Sequence, residues 1–187
     1  VKVIKDQEDL KYEPMVDGGS NHSVALKGDG TVWAWGYNNV GQLGNGTTRS
    51  SLNAVQVMGL SDIKQIAIGK EHSVALDEYG ILYSWGRNNY GQIGADTDIV
   101  TSPRVMNYTE GTIHSIWAGE NQTIILNTKG EVYGFGELLN GSLAGVNNIV
   151  KVSVGQGYML MLSTDGQVYR YDGATVSAVK CCRYRCN

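Results

Sequence analysis

Residues 22–44 read HSVALKGDGTVWAWGYNNVGQLG, and residues 72–94 read HSVALDEYGILYSWGRNNYGQIG. The second stretch repeats the first at an interval of fifty residues. A weaker copy opens at Gln122 (QTIILNTKGEVYGFGELLNGSLA) and a fourth at Tyr158 (YMLMLSTDGQVYRYDG). A period of this length means that one supersecondary unit is used several times, each unable to bury its apolar faces alone. Repeat arrays mostly bind other molecules, and catalysis in one must show as residues that break the repeat.

The columns of the repeat predict strands. Gly19, Gly69, Gly119 and Gly155 each stand three residues before the first strand of a copy. Val24 and Leu26 are matched by Val74 and Leu76, Ile124 and Leu126, and Leu160 and Leu162. Small or apolar residues lie between them, so the strand reads as buried on both faces. A turn ends in Gly30, Gly80, Gly130 and Gly166, where a tight hairpin favours positive φ. The return strand carries aromatics two apart, Trp33 and Trp35, Tyr83 and Trp85, Tyr133 and Phe135, Tyr169 and Tyr171. Residues two apart share a face. Ala34, Ser84 and Gly134 stand on the opposite face, so large meets small between sheets. A glycine turn follows (residues 41–44 and 91–94), then further apolar stretches at 54–58 and 63–68. Each unit thus holds about four short strands, the content of one propeller blade.

At these residues the chain resembles the regulator of chromosome condensation repeat. The pattern G-x-x-H-S-x-A-L, then G-x-V-W-x-W-G-x-N-x-x-G-Q-L-G, stands nearly complete at residues 19–44 and 69–94. It is degraded at 119–144, where the turn reads Gly141-Ser142-Leu143-Ala144, and stops half-way in the fourth copy. The resemblance covers roughly residues 14–172. It implies an all-β fold, a partial β-propeller of three to four blades, each of four antiparallel strands, in a bacterial-style member or a fragment. The family's best-known members have seven blades. Some members are nucleotide-exchange factors for a small GTPase, and many are protein-binding modules, among them bacterial secreted inhibitors of β-lactamase.

The expected organisation is a lead-in over residues 1–13, the repeat array over 14–172, and a closing hairpin or tail over 173–187. With 187 residues the chain is long enough to bury about 70% of its unfolded surface, yet short for a whole ring. Three and a half blades leave apolar end faces and unpaired edges. The chain is then a fragment of a longer product, an open partial ring with modified end repeats, or half of a dimer in which twice three and a half makes seven. Arg170, where the other copies hold Ala34, Ser84 and Gly134, fits a face that meets solvent. Plain decay of a terminal repeat fits equally.

A net charge of −3 and a pI near 5.6 carry no nucleic-acid footprint. The first thirteen residues mix Lys2, Lys5 and Lys11 with four carboxylates, so they form no basic arm. No apolar run approaches the length of a membrane span. The opening does not read as a signal peptide; since it begins with Val, a leader or upstream repeats can lie outside it. All three cysteines cluster as Cys181, Cys182 and Cys186, an incomplete zinc set that reads as an altered tail. No metal and no cofactor is expected. Five Asn-x-Ser/Thr triplets, at Asn21, Asn45, Asn107, Asn121 and Asn140, follow from composition.

An enzyme needs convergent polar groups that the repeat does not explain. His22 and His72 share a column with Gln122 and Tyr158, which asks for a hydrogen-bonding side chain at a strand start. His114 is solitary. No Ser or Cys stands in a nucleophile motif. The glycines at 41, 44 and 46 and at 155 and 157 lack the lysine and the strand–helix setting of a phosphate loop. Asp96-x-Asp98 lacks the rest of a calcium loop. No catalytic residue is therefore expected. Binding residues are expected in loop columns that differ between copies. One such column holds Tyr37, Arg87 and Glu137, another Val40, Tyr90 and Asn140. Tyr and Arg are over-represented at binding hot spots. Trp117 joins them, because its column otherwise holds Asp17, Ala67 and Ser153. The candidate partner-binding set is Tyr37, Arg87, Tyr90 and Trp117. The expected function is a non-catalytic interaction module for a protein partner, at an extracellular site or cell surface rather than in the cytoplasm. The alternatives are nucleotide exchange on a small GTPase and inhibition of a secreted enzyme such as a β-lactamase.

Overall fold

A computed structural model describes residues 10–179; Cys181, Cys182 and Cys186 lie outside the described residues. The described residues form sixteen strands in four antiparallel sheets and contain no helix. The first sheet is β1 (Met15–Gly18), β2 (His22–Leu26), β3 (Val32–Gly36) and β4 (Ser51–Gln56). The second is β5 (Ile63–Ile68), β6 (His72–Asp77), β7 (Leu82–Arg87) and β8 (Ile99–Val105). The third is β9 (Ile113–Ala118), β10 (Gln122–Asn127), β11 (Val132–Gly136) and β12 (Gly141–Ser142). The fourth is β13 (Ile149–Gly155), β14 (Tyr158–Ser163), β15 (Val168–Tyr171) and β16 (Val176–Ala178). Each sheet runs in simple chain order. The strands β1, β5, β9 and β13 contact one another in sequence, so they stand nearest the axis and β4, β8, β12 and β16 lie outermost.

The hairpins follow from the sequence columns. Leu26 pairs with Val32 and Leu76 with Leu82, and the closing glycines 30, 80, 130 and 166 all take positive φ between 77° and 88°. A side chain at those positions would be strained. Val24 lies opposite Ala34 and Val74 opposite Ser84, so a branched residue meets a small one across each hairpin.

Three apolar cores fill the spaces between successive sheets. The first joins Val24, Leu26 and Leu43 to Ile66, Ala75 and Trp85. The second joins Val74, Leu76 and Leu82 to Ile116 and Ile125. The third joins Ile124, Leu126 and Val132 to Val152, Met159 and Met161. β6 and β10 are buried along their whole length because both faces meet a neighbouring sheet. β2 and β14, in the end sheets, alternate between buried and more open positions.

The third and fourth units depart from the period. Tyr158 follows Gln122 by 36 residues, fourteen fewer than the fifty separating His22, His72 and Gln122. Most of the missing length falls on the connection into the outer strand, residues 137–140 where the first unit has 37–50, and the rest on the strand itself: β12 has two residues where β4 has six and β8 seven. The fourth unit nevertheless forms a complete four-stranded sheet, because Asp172 accepts from the Ala174 and Thr175 backbone N–H groups and turns the chain into β16. The array therefore has four blades rather than three and a half, and two copies would place eight blades in a ring rather than seven.

Candidate functional site

The histidine column is explained by what stands fifty-one residues later. His22 Nε2 lies 3.1 Å from Ser73 Oγ in the next sheet, and Ser73 donates to the Gln42 carbonyl at 3.2 Å. His72 Nε2 lies 3.1 Å from Thr123 Oγ1, which donates to the Gln92 carbonyl at 2.7 Å. Each hydroxyl gives its one proton to a carbonyl, so it accepts from the ring and Nε2 carries the hydrogen. Burial pushes the His22 pKa down to about 4. Burial, with a smaller contribution from His22, pushes that of His72 down to about 3. The rings stay neutral and enclosed between sheets, which suits a structural donor and not an exchangeable base. The preceding glycines follow from the same packing. A Cβ on Gly69 would fall inside the shell of the His72 ring and 2.6 Å from the Gly119 carbonyl oxygen.

The glycine turns depend on a buried asparagine that sequence reasoning missed. Asn38 Oδ1 accepts from Leu43 N at 2.8 Å while Nδ2 donates to the Thr47 and Arg49 carbonyls. Asn88 does the same with Ile93, Ala95 and Thr97. Gln42 and Gln92 brace the turns from inside, their Oε1 atoms accepting from Val40 N and Tyr90 N. Trp85 Nε1 then donates to the Gln42 carbonyl at 2.9 Å, tying the turn of the first unit to the second sheet. In the third unit Gln122 folds back within its own sheet, accepting from Leu138 N and Leu139 N and donating to the Leu139 carbonyl. Met159 holds the position of Ser73 and Thr123, so no hydroxyl is there to receive it.

These turns share one rim with the strand-start loops. Tyr37 N donates to the Asn21 carbonyl and Arg87 N to the Glu71 carbonyl, so both candidates sit above the strand starts. Tyr37 and Tyr90 are each 48% exposed. Arg87 is more enclosed, its Nε 2.7 Å from Glu71 Oε2. Trp117 is not with them: it lies half-buried on β9 against the core between the third and fourth sheets. Toward the axis the rim holds a depression of about 370 Å³ edged by Gly19, Gly69, Gly119 and Gly155. Backbone bonds from Ser20 N to the Lys70 carbonyl and from Lys70 N to the Glu120 carbonyl link successive loops, as does the 2.6 Å Lys70–Glu120 ion pair. A groove of about 530 Å³ runs between the third and fourth units, lined by Glu120, Glu137, Leu138, Gln156 and Asp172.

The remaining polar features lie apart from this rim's turns and depressions or on exposed connections. His114 is exposed on β9, and Asp96 and Asp98 are exposed on the connection before β8. Among the described residues no three His, Cys, Asp or Glu side chains converge as a metal site. No helix among them is long and apolar enough to cross a membrane.

Four-stranded antiparallel blades packed about an axis define a propeller-type repeat protein. The chain belongs to the Regulator of chromosome condensation (RCC1) repeat family, which matches residues 29–76 and 79–126, with a second form of the repeat matching 63–92. Among solved structures it is similar to yeast RCC1 (Prp20) bound to Kap60, at 27% identity and a TM-score of 0.76, over 86% of this chain and 44% of that one. It is similar to Prp20p from Saccharomyces cerevisiae in a structure reported with its binding properties to Gsp1p and histones. There the identity is 25% and the TM-score 0.79, over 91% of this chain and 51% of that one. Human WBSCR16, at 18% identity and a TM-score of 0.79, shares the fold over 96% of this chain and 59% of its own. The chain thus spans about half the length of the proteins it matches.

Proposed function

We propose that this protein is a non-catalytic interaction module that binds a protein partner through the rim bearing Tyr37, Arg87 and Tyr90. The observation that carries this reading is the division of labour among the polar groups. His22, His72, Asn38, Asn88, Gln42 and Gln92 are all consumed in holding the blades together. Tyr37 and Tyr90 remain exposed on rigid turns above them. An exposed aromatic on a braced turn offers contact area at small entropic cost. The solved relatives support a protein partner, since Prp20 is seen bound to Kap60. Replacing Tyr37, Arg87 and Tyr90 together by Ala is expected to weaken a captured partner at least about 100-fold, as loss of two or more hot-spot anchors does. Unchanged affinity in a titration would remove this rim from the account.

A second reading is nucleotide exchange on a small GTPase. The study of Prp20p with Gsp1p favours it, as does the exchange activity expected from the resemblance. Exchange needs a broad docking face that distorts the partner's nucleotide pocket. Release of a fluorescent guanine nucleotide from a panel of small GTPases tests it, and no acceleration by this chain would exclude it for them.

A further inference from the structure

The rim opposite Tyr37 and Tyr90 is made by the hairpin turns within the sheets and the connections between them. There the repeat sets one polar residue beside one aromatic, six positions apart: Lys27 and Trp33, Asp77 and Tyr83, Asn127 and Tyr133. In the first unit the pair is a cation on a ring, with Lys27 Nζ 3.9 Å from the Trp33 centroid. In the second it is a hydroxyl and a carboxylate, Tyr83 Oη donating to Asp77 Oδ2 at 3.5 Å. In the third unit the aromatic stays and the cation is gone.

Carboxylates stand around that third aromatic instead. Glu131 occupies the position of Thr31 and Ile81, and Glu110 enters from the connection between β8 and β9. Asn127, buried at 2% exposure, ties the two together. Its Nδ2 donates to Glu131 Oε2 at 2.7 Å and to the Glu110 backbone carbonyl at 3.1 Å, while its Oδ1 accepts from Glu131 N. Both amide protons are thereby used, and Glu131 Oε1 is left over. Among the described residues neither Glu110 nor Glu131 forms an ion pair, not even with Lys129 on the same turn.

A cavity of about 210 Å³ opens beside these groups, walled further by Tyr108, Tyr133 and residues 142–147. The two tyrosine rings meet edge to face at 5.5 Å. The Tyr108 hydroxyl is covered and has no hydrogen-bond partner among the described residues, a cost that a bound donor would remove. The space holds a short alkyl chain ending in one polar group. Two carboxylates beside aromatic rings favour a cation with an apolar stem.

We infer that this cavity binds a primary alkylammonium. The ammonium donates to Glu131 Oε1 and the Glu110 carboxylate, and the alkyl chain lies against Tyr108 and Tyr133. The ligand supplies in the third unit the cation that Lys27 supplies at Trp33 in the first. The site lies on the rim away from Tyr37, Arg87 and Tyr90, so it stands or falls independently of the partner face proposed there.

Such a group reaches the cavity as a lysine side chain of another polypeptide or as a free amine. Nα-acetyl-lysine methylamide and n-butylammonium represent the two. Titrated into the full chain, each should shift the Asn127 side-chain amide and the Tyr133 ring signals saturably in NMR, with millimolar dissociation constants. Tighter binding of the blocked lysine supports the site as a lysine pocket, and tighter binding of butylammonium supports it as an amine pocket. Acetylating the lysine Nε removes the charge, and that probe should leave both signals in place. Glu110→Gln with Glu131→Gln alters two exposed side chains and should weaken both amines about 10-fold or more. The inference is overturned if neither amine gives a saturable shift, if the acetylated probe binds as well as its parent, or if the double variant binds unchanged.

Discussion

The His72 ring is buried, donates through Nε2 to Thr123 and is held neutral by loss of solvent. In the unfolded chain both His72 and His22 titrate near 6.5, while in the fold they titrate at about 3 and about 4. Both folded values are depressed, so the unfolded chain binds protons first as pH falls. Stability is full above pH 6.5 and is lost as pH drops through the window from 6.5 toward 4. At pH 4.5 the loss is on the order of 2–3 kcal/mol per ring. Urea unfolding across this window measures it. A protein with both rings replaced by Gln, the residue found at position 122, should still fold and show a nearly flat profile between pH 6.5 and 4.5. The same flat profile in the unsubstituted protein would mean that the rings titrate normally. The sequence made the hydrogen-bonding role of this column legible, since His, Gln and Tyr share it. It did not reveal the acceptor. The hint was the Ser or Thr that follows each of His22, His72 and Gln122, which alternation alone assigns merely to the other face.

Among the elements, the glycine turns set how closely the blades meet. Leu43 and Ile93 are buried, and each turn is held by one asparagine that spans it. Asn88→Ala leaves Ile93 N and two carbonyl oxygens without that partner, and should cost about 2–3 kcal/mol in chemical unfolding. Asn89→Ala, at the exposed neighbour, should cost less than about 0.5 kcal/mol. Equal costs would mean that Asn88 does not organise the turn. The strands themselves were readable from columns at Val24, Leu26, Gly30, Trp33 and Trp35, because period two and a closing glycine are local signals. The shortened β12 was less readable. The fourteen missing residues shorten an outer strand and the connection into it, and outer strands carry the weakest apolar pattern: β4 has one residue facing a core while β6 is buried throughout. The rim was partly legible. Tyr37, Arg87 and Tyr90 came from columns that vary between units and share the strand-end loops. Trp117 came from the same argument and stands half-buried on β9, against the core between the third and fourth sheets.

At the scale of the whole molecule, four blades pack in one direction and leave two unlike end faces. On the first sheet Ser23, Ala25, Trp33 and Trp35 are only partly buried, and on the last Arg170 lies over the Tyr158 ring. Unlike faces do not by themselves make a closed pair, since a ring of two copies requires each end to satisfy the other. The fourth unit has no Gly-Gln-Leu-Gly turn, and eight blades would have to close where the best-known members have seven. Tyr37 and Tyr90 are exposed on a single copy. Solution mass by light scattering over a concentration series is the most direct test of this arrangement. The account predicts a particle of 20.3 kDa, one chain, throughout the series. A stable particle of twice that mass would contradict it, because the end faces would then be partners for each other.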